Sequence, residues 1–330
     1  MNRILLSVTT VLWALWIGCA SAAEPAMLEL EYKVPLGEVK GRIDHLALDV
    51  ARQRLYVAEL GNDSLGVIDL KSRAVLRTIS GFNEPQGVGY EPTTDSVYVA
   101  NAGDGSVRIY QGENWVPTGR IDLGSDADNV RIDAAAHRVY VGHSDGAIAV
   151  IDAASQKVVN DIHLKDHPEG FQLDPGGLSI WVNIPDHQEI GVLDRTLGRQ
   201  VASWPMAQWG GNFPMALQAD RGRLAVVFRN PARLAMFDTR TGQVLTSAET
   251  CGDSDDVFVD SKRHHLYVSC GDGYIDVFTE AAQGLSRSAR LPTIRGARTA
   301  LYSPELDRLF LAVRASGNSP ASVWVFKAAS

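Results

Sequence analysis

The chain has 330 residues, a formal net charge of −8 at pH 7, and a composition that is 45% hydrophobic and 21% charged. This balance is ordinary for a folded protein and excludes a collagen-like, low-complexity or disordered chain. The acidic charge and the scattered lysines and arginines argue against a surface for phosphate backbones, so no nucleic-acid partner is expected.

Residues 1–23 have the pattern of an export signal. Arg3 gives a short positive start, residues 4–17 are largely apolar, and Ala20-Ser21-Ala22 is a small-residue cleavage site. The segment Trp16-Ile17-Gly18-Cys19 is a poor lipoprotein box, because Trp16 replaces the usual aliphatic residue, and lipidation at Cys19 stays open as a minor alternative. We expect cleavage of residues 1–23, no stable membrane insertion, and a single periplasmic or secreted domain over residues 24–330.

A repeat of about 42 residues fills that domain. Each unit has an apolar strand that usually ends in an acidic residue, a strand with a central aromatic residue, a Gly/Asn/Asp turn and a third apolar strand. An all-strand unit of 40–45 residues is typical of a propeller blade. The central positions recur 41–44 residues apart, at Tyr56, Tyr98, Tyr140, Trp181, Ala225, Tyr267 and Phe310.

Seven units predict an all-β, seven-bladed propeller with four strands in each blade. Only six outer strands follow the third strands, since the last unit ends close to the C-terminus. Residues 28–34 supply the missing strand, and we expect them to pair with residues 323–326 and close the ring. The innermost strands are predicted at residues 46–48, 88–90, 130–132, 171–173, 217–219, 257–259 and 300–302.

The second strands resemble the YVTN-type repeat of YncE-like exported bacterial propeller proteins. Val97-Tyr98-Val99-Ala100-Asn101 is the best copy, and residues 41–45, 126–130 and 212–215 also look like segments of that family. The resemblance implies a seven-bladed propeller and little about chemistry, because the repeat residues are structural. The fifth unit departs from the pattern, since Arg229-Asn230-Pro231 replaces the Gly-Asp-Gly turn.

Polar residues stand at the start of each innermost strand, where seven blades converge. In an antiparallel blade these starts share a face with the turn between the second and third strands, so their side chains should surround the mouth of the central channel. Deeper along the same strands the sequence predicts an apolar wall. The candidate ligand-binding residues are Arg42, Asp44, His45, Glu84, Gln86, Asp128, Asn129, His167, Glu169, Asp255, Asp256 and Arg298.

Four carboxyl groups in one layer of the mouth cannot all be close, charged and uncompensated. They need a bound cation, an arginine partner, intervening water or raised pKa values. A divalent metal such as calcium, magnesium or zinc, or a cationic or polar ligand, would meet this need, and the alternative is a solvated acidic funnel. The candidate metal ligands are Asp44, His45, Asp128, Glu169 and Asp255.

His45 follows Asp44 directly, so alternation along a strand places their side chains on opposite sides and predicts no direct Asp–His dyad. Arginines from the first, fifth and seventh units should face the acids from one side of the ring. That arrangement suits either a ligand with a carboxylate or ordinary charge pairing across the mouth. These arginines are Arg42, Arg229, Arg295, Arg298 and Arg314.

Two cysteines follow the signal segment, and both belong to the sixth unit. Cys251 ends the connection into the innermost strand and Cys270 begins the turn after the second strand, so antiparallel pairing places them together. Export permits oxidation, and we therefore predict a Cys251–Cys270 disulfide that pins the loop carrying Asp253 and Asp255.

The sequence contains no nucleophile elbow, phosphate-binding loop, dinucleotide fingerprint or zinc-protease motif. We therefore expect an exported propeller that binds a small polar ligand, a metal ion or a protein segment at its mouth without catalysis. The first alternative is a hydrolase, lactonase or lyase that uses one divalent metal to polarise a carbonyl or activate water, as gluconolactonase-type propellers do. The second is a scaffold in a larger envelope protein complex.

Overall fold

The computed structural model describes residues 27–144, 146–281 and 284–329, and the predicted signal over residues 1–23 lies outside them. The described chain forms seven antiparallel sheets of four strands each, which confirms the predicted propeller. Three short 3-10 turns occur at Leu60–Asn62, Pro185–His187 and Ala219–Arg221. In the part of the chain that is described, no helix has the length and apolar character needed to cross a membrane.

The first described strand, β1 (Leu28–Pro35), is followed by three complete blades. Their strands are β2 (Leu46–Asp49), β3 (Arg54–Glu59), β4 (Ser64–Asp69), β5 (Ala74–Ser80), β6 (Pro85–Glu91), β7 (Ser96–Asn101), β8 (Ser106–Gln111), β9 (Val116–Asp122), β10 (Val130–Asp133), β11 (Arg138–His143), β12 (Ala147–Asp152) and β13 (Lys157–His163).

Blades 4 to 6 follow, and three further strands begin blade 7. These strands are β14 (Phe171–Leu173), β15 (Ser179–Ile184), β16 (Glu189–Asp194), β17 (Arg199–Pro205), β18 (Gly210–Gln218), β19 (Arg223–Asn230), β20 (Ala232–Asp238), β21 (Val244–Glu249), β22 (Ser254–Asp260), β23 (His265–Cys270), β24 (Tyr274–Ala281), β25 (Gly284–Pro292), β26 (Ala300–Ser303), β27 (Arg308–Val313) and β28 (Ser322–Ala328).

Both termini share blade 7, as the strand count predicted. Strand β1 pairs antiparallel with β28, from Leu28 opposite Ala328 to Pro35 opposite Ser322. Glu31 on β1 forms an ion pair with Arg308 on β27, with 2.5 Å between the Arg308 Nε and a Glu31 carboxylate oxygen. The N-terminal strand thus covers the edge that β28 would otherwise expose.

The core lies between the blades rather than inside any one of them. Seven apolar clusters fill the seven spaces between neighbouring blades. The central aromatic residues of the repeat belong to these clusters, and Tyr98 and Phe310 are fully buried. Because each blade is buried on both faces by its neighbours, the ring is stabilised as one body and the inner strand ends are held in fixed positions.

Three innermost strands begin earlier than the sequence predicted. Strands β6, β18 and β22 start three to seven residues upstream of the predicted positions, and each pairing contains a register shift near its start. A bulge adds an unpaired residue and redirects neighbouring side chains. The hydrophobic pattern did not reveal these extensions, because they mix glycine, proline and polar residues and have no alternation of apolar side chains.

Candidate functional site

The mouth of the central channel contains a cavity of about 270 Å³ with an almost entirely polar wall. Every blade except the second contributes at least one charged side chain to this wall, and blade 2 contributes the amide of Gln86. The lining residues are Arg42, Asp44, His45, Gln86, Asp126, Asp128, His167, Glu169, Phe213, Arg229, Asp255 and Arg298.

The repeat itself brings three of the carboxyl groups into one ring. Each of these acids, Asp44, Asp128 and Glu169, lies two residues before an innermost strand. Each donates its backbone N–H to the second strand of its own blade. The acceptors are the carbonyls of Ala58 at 2.8 Å, Gly142 at 2.9 Å and Asn183 at 3.0 Å. Equivalent backbone bonds in blades 1, 3 and 4 thus fix equivalent carboxyl groups around one axis.

Burial raises the pKa of four acidic groups at this mouth to about 7. For Asp44 the repulsion of Asp255 adds to burial, and Arg42 and Arg298 oppose the shift. For Asp128 the nearby His45 opposes burial, whereas Glu169 and Asp44 reinforce it. Glu169 and Asp256 show the same dominant effect of burial. These groups therefore change charge near neutral pH rather than near pH 4.

Asp255 differs from its neighbours because two arginines clamp it. Arg229 Nη2 lies 2.5 Å from Oδ1, and Arg298 Nε lies 2.9 Å from Oδ2. Arg298 also binds Asp253 through Nη1 at 2.6 Å, and Arg229 stacks on the Phe213 ring at 3.8 Å. Burial opposes the charge of Arg298, but Asp255 and Asp253 outweigh it and raise its pKa. Asp255 lies at the bulge between Ser254 and Asp256, which turns it toward these partners.

His45 lies at the floor of the mouth among three carboxyl groups. Its Nε2 is 3.9 Å from both Asp44 Oδ1 and Asp128 Oδ1, and its Nδ1 is 3.9 Å from Asp256 Oδ2. Asp44 and His45 precede β2 and line the same cavity, so strand alternation does not separate them as predicted. The distance of 3.9 Å still exceeds that of a hydrogen bond, so the two do not form a direct dyad.

Most of the predicted ligand-binding residues meet at this site. Arg42, whose Nη2 donates to Asp44 Oδ2 at 2.9 Å, lines the cavity, as do Gln86 and His167. Asn129 and Asp256 line a small adjoining pocket with His45 and Glu169. Glu84 lies outside both cavities: it is exposed, and its backbone N–H donates to Asp63 at 2.9 Å.

Two lining residues, Asp126 and Phe213, were not predicted to bind a ligand, and Arg229 was predicted only as one of the arginines that face the acids. Arg229 belongs to the Arg-Asn-Pro segment where the fifth unit departs from the repeat. That departure was the signal, since a turn that breaks a structural pattern at the mouth carries a residue with another role.

The five candidate metal ligands do not form a compact donor set. Among the described residues, no group of three or more His, Cys, Asp or Glu side chains is arranged to hold a metal ion. The acidic residues surround the cavity instead, and Asp255 is already paired with two arginines. The cavity is thus lined both by carboxyl groups and by the guanidinium groups of Arg42, Arg229 and Arg298.

The disulfide predicted in blade 6 is present. Cys251 and Cys270 are bonded, with 5.8 Å between their Cα atoms. Both residues are buried, and the bond joins the connection into β22 to the end of β23. It thereby anchors the loop that presents Asp253 and Asp255 to the mouth.

The channel wall beneath the mouth is not uniformly apolar, which corrects the prediction from the sequence. Arg131 on β10 and Gln172 on β14 lie on that wall among apolar residues of the other innermost strands. The sequence did not reveal them, because alternation along a short apolar strand predicts that a single polar residue points away from the channel.

Comparisons with known proteins agree with the fold and the predicted resemblance. The chain is 21% identical over 239 residues to the uncharacterised protein YncE of Salmonella typhimurium, which covers 67% of each chain. It is 25% identical over 170 residues to the protein NirF of Stutzerimonas stutzeri, covering 47% of this chain and 44% of NirF. The alignment thus spans less than half of NirF. No family model matches the chain.

Two solved structures share the architecture. A chain of Kuenenia stuttgartiensis hydrazine synthase matches with a TM-score of 0.76 and 18% identity, covering 88% of this chain and 97% of that one. A chain of the mitotic checkpoint complex matches with a TM-score of 0.76 and 14% identity, covering 96% and 99%. At these identities the matches show the fold alone.

Proposed function

We propose that this YncE-like seven-bladed propeller is an exported binding protein whose mouth takes a small organic cation without catalysis. The observation that carries the proposal is the group of three carboxyl groups, Asp44, Asp128 and Glu169, whose pKa values are raised to about 7 and which line a cavity of about 270 Å³. Such groups favour either a proton or a cation beside them, and a bound cation would stabilise their charged form.

The Asp128 carboxyl group supplies a second, independent indication. The residue is 7% exposed, and its Oδ1 has no hydrogen-bond partner among the described residues. A buried acceptor without a donor costs free energy, which a ligand N–H would recover. An ammonium group has several such donors, and the spread of acceptors around the cavity suits an organic cation better than a bare metal ion.

Export is part of the same proposal. It is supported by the signal-like pattern of residues 1–23 and by the Cys251–Cys270 disulfide, which forms and persists in oxidising compartments. A periplasmic or secreted location follows from it. Identifying the N-terminal residue of the protein in periplasmic and cytoplasmic fractions tests this part. A full-length protein recovered from the cytoplasm would contradict it.

The binding test is calorimetric titration of the purified protein with putrescine and ethanolamine, and separately with Ca²⁺, Mg²⁺ and Zn²⁺. We expect an organic amine to bind more tightly at pH 8 than at pH 6, because protons compete for the same carboxyl groups. Asp128→Asn and Glu169→Gln should weaken binding, whereas Asp220→Asn, an exposed residue in the turn after β18, should not. Binding of metals alone would favour the metal-dependent alternative, and no binding of either kind would refute the proposal.

A further inference from the structure

The central channel beneath the mouth contains a second cavity of about 390 Å³, whose lining residues are mostly apolar although polar atoms share its exposed surface. Its basic, acidic and amide side chains are His45, Arg131, Gln172 and Asp256. The cation proposed for the mouth does not use Arg131 or Gln172. Arg131 is partly buried among the apolar residues of this wall, and an arginine withdrawn from water is usually paired with an acid.

Arg131 has no carboxylate partner among the described residues, because no carboxylate oxygen lies within 4.0 Å of its guanidinium there. Its Nε donates to the carbonyl of Phe171 at 3.0 Å, and its Nη1 donates to the carbonyl of Val130 at 2.9 Å. These bonds use two of five N–H donors. Burial lowers its pKa, with Asp256 and Asp128 opposing that shift from a distance.

The channel thus combines a positive charge, unused donors and an apolar wall. A charge that is partly withdrawn from water, as that of Arg131 is, is stabilised by an opposite charge beside it. We propose that the channel is a second binding site, for a small organic carboxylate that Arg131 anchors and whose hydrocarbon part contacts the apolar wall. Arginine suits this role because its planar donors match a carboxylate.

The competing explanation is that Arg131 only bridges two blades. Gln172 occupies the equivalent position on the next blade, since Arg131 lies opposite Tyr140 and Gln172 lies opposite Trp181. Its Nε2 donates to the carbonyl of Met215 at 2.8 Å, so a neutral amide is sufficient for a bridge to the following blade. The charge of Arg131 and its remaining donors exceed what such a bridge needs.

This comparison supplies the test variant. Arg131→Gln keeps an amide that can donate to the Phe171 carbonyl and removes the charge. Benzoate and butyrate are titrated into the wild-type protein by calorimetry, with benzamide as the neutral counterpart. We expect both carboxylates to bind, benzamide not to bind, and Arg131→Gln to lose roughly tenfold or more in affinity while it retains the wild-type melting temperature. Arg131→Lys should retain part of the affinity.

Two further variants separate the outcomes. Asp256→Asn removes a carboxyl group that faces the same channel, so it should strengthen carboxylate binding, which a purely structural Arg131 would not explain. Arg240→Gln removes an exposed arginine and should change nothing. Arg131→Gln should not weaken cation binding at the mouth, so failure at one site is distinguishable from failure at the other. Equal binding of benzamide and benzoate, unchanged benzoate affinity in Arg131→Gln, or no carboxylate binding at all would overturn the proposal.

Discussion

Asp128 and His45 face each other across the floor of the mouth, with His45 Nε2 3.9 Å from Asp128 Oδ1. That oxygen is buried without a hydrogen-bond partner among the described residues. The pair is therefore close enough for strong electrostatic coupling and too far apart for a hydrogen bond. A polar guest or a water molecule between them would connect both groups.

The raised pKa values predict an unusual dependence of stability on pH. Asp44, Asp128, Glu169 and Asp256 have pKa values of about 7 in the folded protein, against about 4 in an unfolded chain. The folded state therefore holds protons that the unfolded state has released. The resulting stabilisation is complete below about pH 4 and is lost as the pH rises through 7.

We expect the ligand-free protein to melt at a higher temperature at pH 5.5 than at pH 8. In Asp128→Asn the fall in melting temperature between these pH values should be smaller, because one titrating group is gone. Each unit of difference between the folded and unfolded pKa corresponds to about 1.4 kcal/mol in the free energy of unfolding. Calorimetric melting across pH 5–8 measures both effects, with Asp220→Asn as the matched control. A wild-type melting temperature that is constant or rises over this range would show that the buried carboxyl groups do not titrate as described.

Arg298 should be important for the stability of the mouth. It holds Asp253 at 2.6 Å and Asp255 at 2.9 Å, so Arg298→Gln leaves Asp255 with Arg229 alone. We expect a loss of about 1–3 kcal/mol in the free energy of unfolding, measured in urea. Arg240→Gln removes an arginine whose side chain is 87% exposed and should cost less than about 0.5 kcal/mol. Equal costs for the two variants would contradict the clamp.

The architecture could be read from the sequence because its signal is repeated. Seven apolar units with central aromatic residues must bury both faces, and the missing outer strand could be supplied only by the N-terminal segment. The pairing of β1 with β28 confirms that argument. The disulfide followed from the same topology, since antiparallel pairing alone brings Cys251 and Cys270 together.

The details of the mouth were harder to predict because they depend on deviations from the repeat. The bulge between Ser254 and Asp256 decides where Asp255 points, and a bulge has no hydrophobic signature. Glu84 and Asp126 occupy equivalent positions in consecutive repeat units, yet only Asp126 lines the cavity. Arg131 was hidden for a related reason, since its long side chain runs along the channel wall to the next blade.

The disulfide in blade 6 should contribute measurably to stability. The bond closes a loop of 19 residues in sequence separation, which corresponds to about 3 kcal/mol in the chain-entropy description. We expect the double variant Cys251→Ala/Cys270→Ala to lose about this free energy of unfolding. A reducing agent should lower the melting temperature of the wild type and leave that of the double variant unchanged. An equal effect of the reductant on both proteins would assign the stabilisation to another source.

The closure of the ring predicts that β1 is required for a monomeric fold. Leu28 and Val34 are buried between blades, and β1 covers the outer edge of β28. A variant that begins at Leu36 would expose that edge and the apolar residues beneath it, and exposed strand edges pair with other chains. We expect this variant to form oligomers or aggregates in size-exclusion chromatography with light scattering. A control that begins at Met27 retains the strand and should remain monomeric. If the shorter variant remained monomeric with an unchanged melting temperature, the six complete blades would be sufficient to hold the ring, and the pairing of β1 with β28 would be dispensable.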